Sequence, residues 1–162
     1  AAYADALRPY GAGTRRHVLN AVARSGNLQE ASRLYSAALA AGDTSSSLLN
    51  ALLLAHRESS VITDATDALA LYSNAVDASD VVPDNHTLKL LLDICDRHNV
   101  LYKAISICDE AVSKGVKLDP LTVNSLVRYS CNRGYVERSY GYFCDSMANG
   151  ANTMNLHTLS RL

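Results

Sequence analysis

The chain has 162 residues, 48% of them hydrophobic, with 8 Gly, 3 Pro and a formal net charge of −1. This composition excludes a disordered tail and a nucleic-acid arm that acts through bulk positive charge, and no apolar run reaches the roughly 18 residues of a membrane span. Scarce Gly and Pro beside abundant Ala and Leu favour helix throughout, at a length that suits one domain.

Read in chain order, the sequence repeats itself. Ala31, Ala68, Ala104 and Ser139 stand 37, 36 and 35 positions apart. Four residues after each come Tyr35, Tyr72, Cys108 and Phe143, and seven further on Gly42, Ser79, Gly115 and Gly150. Three columns in one phase over four copies mean stacked supersecondary units. Residues 1–11 read as the end of a preceding helix. The opening Ala1-Ala2-Tyr3 implies a removed presequence or a longer protein. The units fall at about 12–45, 46–84, 85–119 and 120–155, and a partial unit opens at Leu156, where His157-Thr158-Leu159 repeats His86-Thr87-Leu88.

Each unit reads as two helices. The first carries apolar residues at helical spacing, as in Leu88, Leu91, Leu92 and Cys95. A short break follows at Ser25-Gly26-Asn27, Arg97-His98-Asn99 or Asn132-Arg133-Gly134. In the longest unit, the second, the extra residues are expected within Glu58 to Asp64, between its two helices. The second helix places the small residue at the crossing and the aromatic one between layers. Gly42, Gly115 and Gly150 sit where a helix end takes a left-handed residue, and Asp84 and Asp119, beside Pro83 and Pro120, mark the turn into the next unit. The expected fold is all-α, an α-solenoid of helix–turn–helix repeats of about 35–37 residues, forming one helical-repeat domain over 1–162.

Four cysteines could suggest zinc or disulfides. Here Cys95 and Cys131 are 36 apart, as are Cys108 and Cys144, so they keep the repeat period and read as four buried, unpaired core residues. His17, His56, His86, His98 and His157 show no metal-ligand spacing, and no phosphate-cradling loop or serine elbow occurs. No enzyme activity, cofactor or metal is expected.

These residues resemble the pentatricopeptide repeat family. Unit three keeps the family's 35-residue length, with Asn85-His86-Thr87-Leu88-Lys89, Lys103-Ala104, Lys114-Gly115 and Leu118-Asp119 following its pattern. Unit four follows with Pro120 to Leu126, Asn132-Arg133-Gly134 and Asn149-Gly150, and unit one with Ala23 to Ala31. The rival tetratricopeptide pattern wants a glycine beside a leucine in the first helix, and Val18-Leu19, Leu52-Leu53, Leu91-Leu92 and Leu126-Val127 carry none. The resemblance implies an organellar protein, mitochondrial or of a plastid, that binds single-stranded RNA one base per repeat through two side chains.

The first base-reading position maps to Arg16, Asn50, Lys89, Asn124 and Ser160, the second to Ser45, Asp84, Asp119 and Asn155. Asn50 with Asp84 resembles a uridine-reading pair and Asn124 with Asn155 a pyrimidine-reading one. Arg16 with Ser45, and Lys89 with Asp119, match no familiar pair.

Charge separates along the units. The first helices and their end turns hold Arg15, Arg16, Arg24, Arg57, Lys89, Arg97, Arg128 and Arg133 against Glu58, Asp93 and Asp96. In this family those helices line the concave face, so Arg16, Arg24, Arg57, Arg97 and Arg128 are the expected contacts to RNA phosphates. The plainer alternative is a solvated face with i,i+4 partners such as Asp93 and Arg97. Three functions remain open: an RNA-binding module for organellar transcripts, a structural subunit of an organellar ribonucleoprotein such as the mitochondrial ribosome that grips rRNA and neighbouring protein subunits, and a tetratricopeptide-like protein–protein adaptor.

Overall fold

The structure is a computed structural model that describes residues 11–59, 65–79 and 82–148. Among these residues every regular element is helical. The helices are α1 (Ala12–Arg24), α2 (Leu28–Ala40), α3 (Ser46–Glu58), α4 (Ala65–Ser79), α5 (Asn85–Arg97), α6 (Leu101–Ser113), α7 (Pro120–Asn132) and α8 (Val136–Ala148). The chain divides into two compact units, Ala1–Pro83 and Asp84–Leu162. The expected partial repeat from 156, the helix end at 1–10, Gly150 and Asn155 lie outside the described residues.

In the first unit α1 packs on α2 and on α3, α2 on α3, and α3 on α4. Its core gathers Leu19, Ala23, Ala31, Leu34, Tyr35, Ala38, Leu48, Ala51, Leu52 and Ala55, flanked by half-buried Val18, Val22, Leu28, Leu54 and Leu71. Burying each leucine contributes about 1.5–3 kcal/mol. Gly26 turns α1 into α2 at φ +71°, and a Cβ there would stand 2.7 Å from the Glu58 carbonyl oxygen at the end of α3. Only glycine fits both the left-handed backbone and that approach.

In the second unit α5 packs on α6 and α7, α6 on α7, and α7 on α8. Asp84 caps α5, accepting the Thr87 N–H at 2.8 Å, while its own N–H donates to Thr87 Oγ1 at 3.2 Å. Asp119 caps α7 in the same way, accepting the Thr122 N–H at 2.7 Å ahead of Pro120 in the first turn. These caps satisfy donors that a helix start leaves unpaired. Asn85 joins the two entry turns: its amide donates to the Lys117 carbonyl, its Oδ1 accepts from the Asp119 N–H, both at 2.9 Å, and its carbonyl accepts from Thr122 Oγ1.

The repeat columns have a common physical role. Ala31, Ala68, Ala104 and Ser139 are all at most 1% exposed, where only a small side chain lets helices approach closely. Ser139 satisfies its own hydroxyl on the Tyr135 carbonyl, 2.9 Å away. Helix ends repeat as well. Gly42, Asn99, Gly115 and Gly134 take φ between +62° and +90°. After each, the next N–H reaches back to the helix: Asp43 to Ala38, Val100 to Cys95, Val116 to Ala111 and Tyr135 to Ser130.

The cysteine column departs from expectation. Cys95 and Cys108 are buried, but Cys131 is half-buried and Cys144 exposed. Among the described residues α8 packs chiefly on α7, and its Tyr142 and Arg138 reach back to Asp109 on α6. Val136 and Tyr140 on α8 are accordingly exposed, whereas Leu101 and Ile105, one repeat earlier on α6 and covered by α7, are at most 2% exposed.

Candidate nucleic-acid interface

The base-reading and phosphate candidates lie on the first helices α1, α3, α5 and α7, or at their starts. In the first unit Arg16 is half-buried on α1, and its guanidinium donates to Ser47 Oγ on α3 at 3.4 Å. Asn50, in the middle of α3, is 6% exposed. Arg57, near the end of α3, forms an ion pair with Glu58 at 2.7 Å. Arg24 is exposed in the last turn of α1.

In the second unit Lys89 and Asp93 are one turn apart on α5, and Asn124 and Arg128 hold the equivalent places on α7. Lys89 Nζ lies 2.9 Å from Asp93 Oδ2. The other Asp93 oxygen accepts from the Tyr129 hydroxyl at 2.7 Å, across from α7 to α5. Arg128 donates to that hydroxyl at 2.9 Å, with its guanidinium carbon 4.6 Å from the Tyr129 ring centroid, within cation–π range. Burial, together with the bond to Asp93, pushes the Tyr129 phenol up to about 12, so it stays a hydrogen-bond donor. Asn124 is half-buried, and its Oδ1 accepts no hydrogen bond. Arg97 is exposed in the last turn of α5.

The second-position candidates Asp84 and Asp119 both use a carboxylate oxygen to cap a helix, so their side chains hold the entry turns of α5 and α7. Asp84 remains exposed and Asp119 half-buried. Asn155, the remaining candidate, lies outside the described residues. A further link joins the ends of α5 and α7: Arg133 pairs with Asp96 at 3.0 Å and also donates to the Asp96 carbonyl and to Asn99 Oδ1.

No motif in the sequence marks Tyr129 or the contacts that Arg133 makes with Asp96 and Asn99. The available signal was the period itself, since Asp93 and Tyr129 are 36 positions apart and Asp96 and Arg133 are 37. The charge pattern is correspondingly altered. Lys89, Arg57 and Arg133 each meet a carboxylate, so the basic excess of the first helices is partly neutralised within the protein.

Among the described residues no group of three or more His, Cys, Asp or Glu could hold a metal ion, and no helix is long and apolar enough to cross a membrane. No family model matches the chain, and no curated protein matches it.

Proposed function

We propose that the chain is a segment of a pentatricopeptide-type α-solenoid, a non-catalytic organellar protein that binds single-stranded RNA or holds rRNA within a ribonucleoprotein such as the mitochondrial ribosome. The observation that carries this reading is the four-copy period, whose small-residue column is buried at every copy, with Arg16, Arg24, Arg97 and Arg128 standing on first helices. Side-by-side packing of first helices within each unit, α1 on α3 and α5 on α7, supports it by bringing residues one repeat apart into reach of one ligand. RNA phosphates would meet Arg16 and Arg24 in the first unit and Arg97 and Arg128 in the second, and a base would meet positions such as Asn124. Four units span about four nucleotides, so binding by this segment alone is weak and gains from flanking repeats or a surrounding complex.

The pairing of Lys89 with Asp93 and of Arg133 with Asp96 favours a second reading, a protein–protein adaptor, because a face that neutralises its own cations offers less to phosphate. Fluorescence anisotropy of labelled single-stranded RNA across a salt series separates the two. A logarithm of affinity that falls linearly with the logarithm of salt supports the RNA reading. No binding at low ionic strength leaves the adaptor. In organelles, crosslinking the native protein and sequencing the attached RNA identifies the target.

A further inference from the structure

We propose that Asp93 sets the affinity of the α5–α7 face for single-stranded RNA, as a built-in carboxylate that competes with phosphate for Lys89. The inference rests on the RNA reading above and concerns how strongly that face can act.

Asp93 is the hub of the polar cluster on this face. One oxygen takes the Lys89 ammonium and the other takes the Tyr129 hydroxyl, at 2.9 and 2.7 Å. Tyr129 in turn receives Arg128 at 2.9 Å. Two cations therefore converge, directly or through one hydroxyl, on a single anion. The Lys89 side chain is 33% exposed and that of Asp93 14%, so the pair sits at the surface, with the ammonium the more open member.

A carboxylate and a phosphate are acceptors of the same kind for an ammonium. For Lys89 to release a counterion from RNA it must leave Asp93 or share it, which reduces its contribution to binding. The Asp93 charge also repels an approaching phosphate. The single hydroxyl hydrogen of Tyr129 is directed at Asp93 and cannot serve phosphate at the same time. Removing the Asp93 charge thus releases Lys89 from that partner, leaves Arg128 in place and makes an already cationic cluster more so. Asparagine keeps the shape of the side chain and an oxygen for Tyr129.

The test uses the full 162-residue chain and a short labelled single-stranded RNA of mixed sequence, titrated by anisotropy at several salt concentrations. Asp93→Asn should bind several-fold tighter at low salt, and its plot of log affinity against log salt should steepen by about 0.7, the value for one added contact to a single strand. Adding Lys89→Gln to that variant should cancel both effects. Tyr129→Phe, which leaves every charge in place, should keep the original slope. If Asp93→Asn loses its helical circular dichroism, Asp93→Ala takes its place. Wild-type binding with an unchanged slope in the folded Asp93 variant overturns this inference alone. Absence of binding by the wild type and the variant alike overturns the RNA reading and this inference with it.

Discussion

Tyr129 and Asp93 stand 36 positions apart in the sequence and 2.7 Å apart in the fold. The bond ties two successive first helices in register. Hydrogen bonds to charged groups contribute about 1.5–3 kcal/mol, and the exposure of this cluster places the effect at the lower end. Tyr129→Phe is therefore expected to lower stability by about 1.5 kcal/mol, because Asp93 keeps Lys89 as a partner. Urea denaturation should show a lower midpoint with an unchanged slope. An unmoved midpoint would mean that the bond contributes nothing net.

Glycine at position 26 answers two demands, and a neighbouring case separates them. Gly26 and Gly115 both take positive φ, but a Cβ at Gly115 would meet nothing within 4 Å, whereas at Gly26 it would run into the Glu58 backbone. Gly115→Ala should cost about 1–2 kcal/mol, the left-handed strain of an L-residue. Gly26→Ala carries that strain plus a clash with backbone, which cannot swing aside, and should cost at least about 1 kcal/mol more. Equal destabilisation of the two variants in parallel urea melts would remove the packing argument.

The helical character was legible from scarce Gly and Pro and from apolar residues at helical spacing. Ala31, Ala68, Ala104 and Ser139 could be marked as buried from their intervals alone, and Gly42 and Gly115 as helix ends. The site was less legible. Spacing put Lys89 on a first helix, four residues before Asp93, but could not show that Tyr129 arrives from α7 to take the other Asp93 oxygen. It put Asp84 and Asp119 at the repeat boundary but did not reveal that each would cap the following helix, although the threonine three residues after each was there to read. Asn50 is buried because its neighbours Leu49, Ala51 and Leu53 are buried too, and a helix closed in on several sides has no face that periodicity can mark as open.

The cysteine column gives a chemical readout of layer order. Burial pushes the Cys95 thiol up to about 11 and that of Cys108 to about 12, which withholds the reactive thiolate as well as covering it. A thiol reagent applied to the native protein should label Cys144 first and Cys131 more slowly, with Cys95 and Cys108 reacting only in denaturant. Rapid modification of all four in native buffer would contradict the packing of α5 against α6.

His56 predicts a response to pH in the first unit. It is half-buried on α3, its Nδ1 has no hydrogen-bond partner, and burial lowers its pKa, with the charge of Asp67 on α4 opposing. Its folded pKa is below the unfolded value of about 6.5. Between those two values the unfolded chain binds more protons, so stability rises with pH. His56 thus favours the fold above about pH 6.5, and acidification removes that advantage progressively until the folded pKa is passed. His56→Gln should flatten the fall in urea midpoint as pH drops below about 6.5. A variant that loses stability over this range as steeply as the wild type would assign the effect to other groups.

Asn50 and Asn124 occupy equivalent places on α3 and α7, yet their surroundings assign them different consequences. Asn50 is 6% exposed, so a base cannot reach its amide without opening the core around Leu49, Ala51 and Leu53. Asn124 is half-buried, with an Oδ1 that no protein donor satisfies. That oxygen is covered in the free protein, so an N–H on a base edge satisfies it only once the amide turns outward. Asn124→Ala is therefore expected to change the preference at one nucleotide, by at most about 1–3 kcal/mol for a good two-point contact, by analogy with base readout in DNA. Asn50→Ala should leave nucleotide preference alone and lower stability by about 1 kcal/mol, because it truncates a buried side chain among packed neighbours. Competition titrations with RNAs differing at single positions, run beside urea melts of both variants, decide the matter. A preference shift from Asn50 with none from Asn124 would mean that the strand reaches α3 by a rearrangement of the first unit and that α7 contributes no base contact.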